Sequence, residues 1–256
     1  MKSLFSFIKK EFIEQFRLGK LLILALLFVF FGIMNPAIAK LTPWLLDMLS
    51  DSLAESGMIV TGVNVTAMDS WVQFFKNIPM GLIAFVLLQS SIFTKEYASG
   101  TLILSLTKGL NRYKVVVSKT VVMSVLWSLC YWLCLAITYG YNEYFWDNSI
   151  AQNLAYSAVC WWLFGIMVVA LMVLFSVIFN SNTGVLLGSA GVVLVSYLVG
   201  LLPKLSRYMP TYLINGTALI YAQSKPEDFA ASLVVAIVIS VTCFVISIPI
   251  FNKKQL

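Results

Sequence analysis

Long apolar stretches that recur along the chain constrain its fold more than any other feature. There are six of them, at about 21–40, 77–94, 115–139, 153–179, 184–202 and 231–251. The hydrocarbon core of a bilayer is about 30 Å thick, so a helix needs about 20 apolar residues to cross it. Backbone groups inside lipid must be satisfied within the segment, and runs of this length achieve that as helices. The pattern predicts an all-α integral membrane protein with six transmembrane helices in a single domain over residues 1–256.

Composition agrees with that fold class. Of the 256 residues, 60% are hydrophobic and 11% are charged, whereas soluble domains carry about 25% charged residues. All four cysteines lie in apolar runs. Because the chain has no His, Cys130 and Cys134 are better explained as small packing residues than as metal ligands. We therefore expect no metal site.

Basic residues predict the orientation of the chain. With the N-terminus inside, most of the 17 Lys and Arg residues fall on the cytoplasmic side and most of the 11 acids fall outside, as the positive-inside rule requires. Both termini are then cytoplasmic, and we expect the plasma membrane as the location. Residues 1–20 place apolar and charged positions on opposite sides at helical spacing, which predicts an amphipathic interfacial helix. The alternative is a frayed basic tail that only orients the first span.

Two segments are expected on the outer side. Residues 41–76 form a long external loop, in which Pro43 marks the start of a helix that rests on the membrane or on neighbouring helices. Residues 202–230 are half apolar but too short and too interrupted to cross the membrane twice. Irregular backbone at membrane depth needs protein or water around it, so this segment is predicted to be a re-entrant or capping element before the sixth span.

Small and aromatic residues inside the spans have two interpretations each. Gly184 and Gly188 lie four residues apart and let helix backbones approach closely, either within one subunit or across a dimer interface. Serine and tryptophan side chains near mid-depth either line a pathway or pack between helices. They are Ser124, Trp127, Ser128, Trp132, Trp161 and Trp162.

The spans contain almost no ionisable residue, and this excludes several function classes. Proton-coupled and ion-coupled transporters keep intramembrane acids as relays. Membrane-embedded enzymes need acid–base or metal-binding residues at depth. The chain also has no Walker A pattern, so we expect no catalytic residue, no bound cofactor and no ATP hydrolysis by this chain alone.

The charged stretch from Thr94 to Lys119 separates the second and third spans. Its middle, after Gly100, is a short apolar segment that Gly109 ends, and Asn111 then caps the next helix. A short helix with exposed leucines beside cations predicts a docking surface for another protein. Such a surface would lie on the cytoplasmic side.

This stretch resembles the motif that follows the second span in type-2 ATP-binding-cassette (ABC) exporter permeases. The residues that carry the resemblance are Glu96, Gly100, Thr101, Leu102, Arg112 and Lys119. The six-span layout, the N-terminal helix, the long first external loop and the half-apolar segment before the last span resemble that family over the whole chain. The sequence departs from the pattern at Lys108-Gly109-Leu110, where the family often has a proline.

The resemblance implies a permease subunit that pairs with a second copy or a paralogue in the lipid bilayer. Separate ABC ATPase subunits, which hold ATP and Mg, would drive it through a short cytoplasmic coupling helix. In that helix Gly100 and Thr101 would form the start, while Leu102 and Leu106 would fill a groove on the ATPase. Glu96 would pair with a base on the partner or with Arg112, although ordinary positive-inside charge also explains Arg112.

The cargo is inferred from the character of the spans. A pathway lined by Trp, Met and Phe without charges suits a hydrophobic or amphipathic cargo such as a peptide, an antibiotic or a drug. The alternative function is a non-transporting membrane scaffold or sensor with the same fold. Despite the net charge of +6, we expect no nucleic-acid partner.

Overall fold

The computed structural model describes residues 2–55, 64–107 and 109–254. Its α-helices, in chain order, are α1 (Lys2–Arg17), α2 (Lys20–Glu55), α3 (Ala67–Gln89), α4 (Ser91–Ser99), α5 (Thr101–Thr107), α6 (Arg112–Phe145), α7 (Leu154–Ile178), α8 (Asn182–Gly200), α9 (Gly216–Ile220) and α10 (Ala230–Lys253). No strand occurs among the described residues.

Within the described part of the chain, six helical segments are long and apolar enough to cross a membrane. They are Lys20–Leu49, Ala67–Ser99, Arg112–Phe145, Leu154–Ile178, Asn182–Gly200 and Pro226–Lys253. The predicted all-α membrane fold with six spans is thereby confirmed, and the protein is a multi-pass membrane protein.

The first span belongs to a helix that is much longer than predicted. α2 has 36 residues and continues through both Pro36 and Pro43, so the prediction that Pro43 starts a separate external helix is wrong. A proline inside a helix leaves the carbonyl four residues earlier without its helical partner. At Pro36 that carbonyl belongs to Gly32, and the hydroxyl of Thr138 on α6 donates to it over 3.1 Å.

The second span also starts earlier than predicted. α3 begins at Ala67, after a capping box in which the carboxylate of Asp69 accepts from the backbone N–H of Thr66 over 2.8 Å. Such reciprocal bonds satisfy donors that a helix start otherwise leaves free. The predicted external loop 41–76 is therefore helical at both of its ends, and its residues 56–63 lie outside the described part of the chain.

A chain of polar side chains joins α2, α3 and α6. Nδ2 of Asn77 donates to Oδ1 of Asn35 over 2.8 Å, and Nδ2 of Asn35 donates to Oγ1 of Thr138 over 3.1 Å. Asn35 and Thr138 are fully buried, where an unbonded polar group would be costly. Each donor in this series of hydrogen bonds therefore has an acceptor. The last acceptor is the carbonyl of Gly32, which Pro36 leaves without a helical partner.

α7 is the central helix of the bundle. It is the most buried of the six spans and packs against α6, α8 and α10. Close packing depends on Gly165, because a Cβ at that position would overlap the indole of Trp127 on α6. The largest buried side chains of the core are Trp71, Trp127, Tyr131 and Trp161.

The segment between α8 and α10 folds as short helical turns at Ser206–Tyr208, Pro210–Ile214, α9 and Pro226–Phe229. The indole of Trp161 donates to the carbonyl of Ile214 over 2.9 Å, and the hydroxyl of Ser157 donates to the carbonyl of Gly216 over 3.2 Å. These bonds fasten the segment to the start of α7. Its re-entry into a membrane stays a prediction.

Candidate functional site

α1 and the C-terminal end of α10 meet α4 at one end of the bundle. We call this end the terminal face; it comprises α1, α4, α5, the start of α6 and residues 251–254. The link between α4 and α5 is a single residue, Gly100, whose φ of 66° is left-handed. Glycine adopts this conformation without the steric cost that a side chain brings. Thr101 is the first residue of α5, and Gly109 turns the chain again with a φ of 90°. The sharp turn at Gly100 thus fixes where α5 begins.

The side chains that α5 exposes to solvent differ from those that the family motif implied. Leu102 is only 1% exposed and packs into the core of its own chain, and its role in filling a groove on a partner stays a prediction. Leu106 is half-buried, whereas Ile103 is 45% exposed. Ile103 and Leu106 line an open cleft of about 670 Å³ together with Arg112, Tyr113 and Asn252.

Glu96 pairs with two lysines of its own chain. Its carboxylate lies 2.7 Å from Nζ of Lys10 on α1 and 2.9 Å from Nζ of Lys119 on α6. Within this chain the partners of Glu96 are thus Lys10 and Lys119 and not Arg112, and its pairing with a base on another subunit stays a prediction. Only 6% of Glu96 is exposed, and two nearby ammonium groups supply the counter-charge that a buried carboxylate needs.

These residues belong to a larger ionic cluster, defined here as Lys10, Glu11, Glu14, Glu96 and Lys119. Nζ of Lys119 also lies 2.8 Å from the carboxylate of Glu11, and Lys119 and Glu11 are almost fully buried. Nζ of Lys10 is 3.0 Å from Glu11 and 3.2 Å from Glu14. The cluster joins α1 to α4 and α6, which are distant from it in sequence.

The three carboxylates of the ionic cluster are close enough together to hold a cation. The ammonium of Lys10 is bonded to all three, so the chain supplies its own cation at that point. Although burial alone would lower the pKa of Lys10, the hydrogen bond that its ammonium donates to Glu96 and the charges of Glu11 and Glu96 raise that pKa above its ordinary value. Lys10 is therefore charged at neutral pH.

Arg112 and Lys254 hold the ends of two spans at the terminal face. Nη1 of Arg112 donates to the carbonyls of Phe251 and Asn252 at the end of α10, both over 3.2 Å. Nζ of Lys254 donates to the carbonyl of Val177 at the end of α7 over 2.7 Å. Cations are favourable at helix C-termini, where the last carbonyls lack partners.

Lys254 also ties these ends to α4. Its ammonium lies 4.3 Å from the ring centre of Tyr97, and the Tyr97 hydroxyl donates to the carbonyl of Ser176 over 3.1 Å. Partial burial lowers the pKa of Lys254 to about 8. The segment around α5 is thus joined to α7 and α10 on one side and to α1 on the other.

Sequence reasoning assigned Lys119 to membrane orientation and missed the ionic cluster. One signal for it was present, because Lys119 follows Val115, Val116 and Val117 and a charge inside an apolar helix generally has a buried partner. A second signal was the spacing of Phe7, Glu11 and Gln15, which puts them on one face of α1. All three are buried.

Of the tryptophans and serines predicted near mid-depth, Trp127, Ser128 and Trp162 form hydrogen bonds between α6 and α7. The indole of Trp127 donates to the carbonyl of Trp162 over 3.1 Å. The indole of Trp162 donates to the hydroxyl of Ser128 over 2.9 Å, and that hydroxyl donates to the carbonyl of Ser124. Trp161 is buried and Trp132 is 38% exposed. Most of this set therefore packs helices together.

Gly184 and Gly188 face side chains of their own subunit. A Cβ on Gly184 would meet the ring of Phe179, and one on Gly188 would meet the ring of Phe175. Both glycines therefore allow close packing within one subunit, and their role at a dimer interface stays a prediction.

An apolar groove of about 680 Å³ lies between α3 and α8, and α7 forms its floor. Phe164 and Val168 line the floor, and the exposed side chains of Leu87, Leu187 and Leu194 line the walls. No charged side chain lines the groove in the described part of the chain. Sequence reasoning did not identify this surface, because α3 and α8 are about 100 residues apart and only the fold brings them together.

Comparison with known proteins completes the assignment. A search of curated proteins gives no match. The family profile described as "ABC-2 family transporter protein" matches residues 5–256, which is nearly the whole chain. The chain therefore belongs to the ABC-2 family, the membrane permeases of ABC transporters.

Proposed function

We propose that this permease exports a hydrophobic or amphipathic cargo, such as a peptide, an antibiotic or a drug, from the cell across the plasma membrane. It would act as a pair of permease subunits driven by two separate ABC ATPase subunits. Family membership supports the permease role. The single observation that carries the coupling role is the exposure of Ile103 on α5 beside an open cleft at the terminal face.

The terminal face is the proposed ATPase side. Basic residues concentrate there, at Lys9, Arg17, Lys95 and Lys114, and cytoplasmic segments of membrane proteins carry such an excess. This orientation makes both termini cytoplasmic and leaves the cleft beside α5 open to a soluble partner. An apolar side chain of the ATPase would contact Ile103 and Leu106.

The groove between α3 and α8 is the proposed cargo surface. It is within the size range of sites that bind small molecules, and its lining is almost entirely apolar. A hydrophilic sugar chain would lose hydrogen bonds to water there without gaining new ones. An apolar cargo would lose none, which favours the hydrophobic class.

Co-purification tests the coupling role. The tagged chain is extracted in mild detergent from cells that express it natively, and bound proteins are tested for MgATP hydrolysis and for a Walker A sequence. We expect an ATPase with the native chain and at least a tenfold loss with Ile103→Asp. Ile150→Asp is the matched control, because Ile150 is similarly exposed, at 42%, and lies in the connection between α6 and α7.

The outcomes separate the alternatives. If no ATPase accompanies the native chain, the export function is wrong and a scaffold or sensor role replaces it. If Ile103→Asp retains as much ATPase as Ile150→Asp does, the ATPase docks elsewhere. Leu102→Asp is unsuitable as a probe, since burying a carboxylate at this site would unfold the chain.

The cargo surface needs its own test. Gly191 lines the groove, and a Cβ there meets open space, so Gly191→Phe should fill the groove without distorting the fold. We expect it to abolish ATP-dependent uptake of an apolar fluorescent peptide into inside-out vesicles. Gly140→Phe also projects into open space but lies on α6, away from the groove, and should leave uptake unchanged. Equal uptake by both variants would exclude the groove.

A further inference from the structure

α1 is attached to the α3–α4 region by polar contacts spread along its length. Nζ of Lys10 bonds Glu96 over 2.7 Å, and near the other end of α1 Nε2 of Gln89 donates to Oε1 of Gln15 over 3.2 Å. Just beyond α1, Nζ of Lys20 donates to the hydroxyl of Ser91 over 2.7 Å. A helix held only by apolar contacts can slide, whereas α1 is held in register by two polar contacts of its own and by a third just beyond its end.

Lys119 lies at the centre of this attachment. Its ammonium contacts the carboxylate of Glu11 on α1 over 2.8 Å and that of Glu96 on α4 over 2.9 Å. It also donates to the carbonyl of Ile92 in the first turn of α4 over 3.0 Å. Lys119 therefore bridges α1 and α4 through one ammonium group, and only 1% of Lys119 is exposed.

We propose that Lys119 is a positioning residue that makes α1 and α4 move as one body when the ATPase moves α5. This role rests on the proposed function. α5 follows α4 after the single residue Gly100, so a displacement of α5 reaches α4 directly. The ionic cluster then carries the displacement to α1, which has no covalent connection to α4 other than the long path through α2 and α3.

Burial explains why the attachment of α1 to α4 through Lys119, which we call the joint, is rigid. If α1 slid by one turn, Glu11 would leave Lys119 and a charge would stay unpaired in a low-dielectric site. Salt does not screen such a pair well, because water and ions do not reach it. The joint therefore has one favourable register and resists intermediate ones.

The outer face of α1 suggests what the motion does. Phe5 and Phe16 are 69% and 65% exposed and point away from the bundle, where an interfacial helix contacts lipid. A coupled α1 would carry these side chains through the membrane interface with each cycle. A free α1 would stay in place in the interface while α5 moved.

Paired spin labels test the joint in the complex with its ATPase. Cysteines replace Lys9 and Lys95, which are exposed on α1 and α4, and the four native cysteines are buried. Distances are measured by pulsed electron resonance without nucleotide and after trapping with ATP and vanadate. We expect the Lys9–Lys95 distance to stay constant, while a second pair, Lys95 with Ile150, shifts by a few ångströms.

The decisive variant combines Lys119→Met with Glu96→Gln. It removes one positive and one negative charge, so the net charge of the ionic cluster is unchanged. Because Lys119 and Glu96 are partners, neither substitution leaves the other residue as an unpaired charge. We expect the Lys9–Lys95 distance to broaden and to change on trapping. Lys114→Met is the matched control: Lys114 also bonds α1, to the hydroxyl of Ser3 over 2.9 Å, but at a partly exposed site, and its removal should leave the distance constant. Lys119→Arg, which keeps the positive charge, should restore a Lys9–Lys95 distance that stays constant on trapping.

Each outcome is informative. A merely structural role for Lys119 would lower thermal stability in the double variant but leave the distance constant on trapping, which would overturn the inference. A distance that changes in the native complex would overturn it as well. If no complex with an ATPase forms, the proposed function itself fails, and this role fails with it. The first two results leave the proposed function intact.

Discussion

The contact between Gly165 and Trp127 gives the sharpest stability prediction. An alanine at position 165 would place its methyl group inside the indole of Trp127, against Cε2, Cζ2 and Nε1. Trp127 is fully buried, and its indole donates to the carbonyl of Trp162 over 3.1 Å. The ring cannot move aside without breaking that bond or displacing other core side chains.

The magnitude follows from three contributions. Overpacking a core site costs about 1–3 kcal/mol, and the loss of the Trp127 hydrogen bond costs about 0.5–1.5 kcal/mol. Alanine offsets about 1 kcal/mol of this, because it favours helix more than glycine does. The net loss for Gly165→Ala is about 2 kcal/mol, which for a chain of this size lowers Tm by roughly 4–8 °C.

The native cysteines provide the assay. All four are buried, so a thiol-reactive fluorescent dye reports unfolding of the detergent-solubilised protein during heating. Gly140→Ala is the matched control, since nothing lies within 4 Å of a Cβ at that position, and its Tm should rise slightly. If the Tm of Gly165→Ala equals or exceeds the native value, the close packing of α6 on α7 is not what the structure indicates.

Three further predictions concern single side chains. Thr138→Val should destabilise the protein by about 1–3 kcal/mol, because it leaves the carbonyl of Gly32 and the amide of Asn35 without partners; Thr138→Ser should recover most of the lost Tm. Lys254 has a folded pKa of about 8, below its ordinary value of 10.5, so between these pH values the unfolded chain binds more protons and stability should rise with pH. A Tm measured from pH 7.5 to 9.5 should show that rise in the native chain and less of it in Lys254→Met, and an equal rise in both would contradict it. Gly100→Ala should cost about 1 kcal/mol through its left-handed φ, and an unchanged Tm would show that the turn between α4 and α5 can rearrange.

Much of the fold could be predicted because membrane spans are local features. A run of about 20 apolar residues indicates a helix whatever the rest of the chain does, so the number of spans was correct. The end of α2 was not, because Pro43 normally indicates a helix boundary. A proline is tolerated inside a membrane helix when neighbouring groups satisfy the freed backbone, as Thr138 does for the carbonyl that Pro36 leaves free. That partner lies on another helix, and the sequence does not reveal it.

The stretch from Thr94 to Lys119 likewise has local features that the sequence predicts and tertiary contacts that it does not. The turn at Gly100 and the start of α5 depend on neighbouring residues and were predictable from them. The directions of Leu102 and Glu96 depend on tertiary contacts. Lys119 reaches Glu11 across 108 positions in sequence, and no local pattern specifies such a pair. The exposed Ile103 adjoins the buried Leu102 that the family motif emphasised.

The continuity of α2 has a consequence for the membrane around the protein. Its apolar part, Lys20–Leu49, has 30 residues and is about 45 Å long at 1.5 Å per residue, whereas a typical hydrocarbon core measures about 30 Å. A mismatch of this size is accommodated by tilting the helix or by thickening the adjacent bilayer. Acyl-chain length is therefore expected to act on this helix directly, so that longer-chain lipids relieve the mismatch and shorter ones increase the tilt.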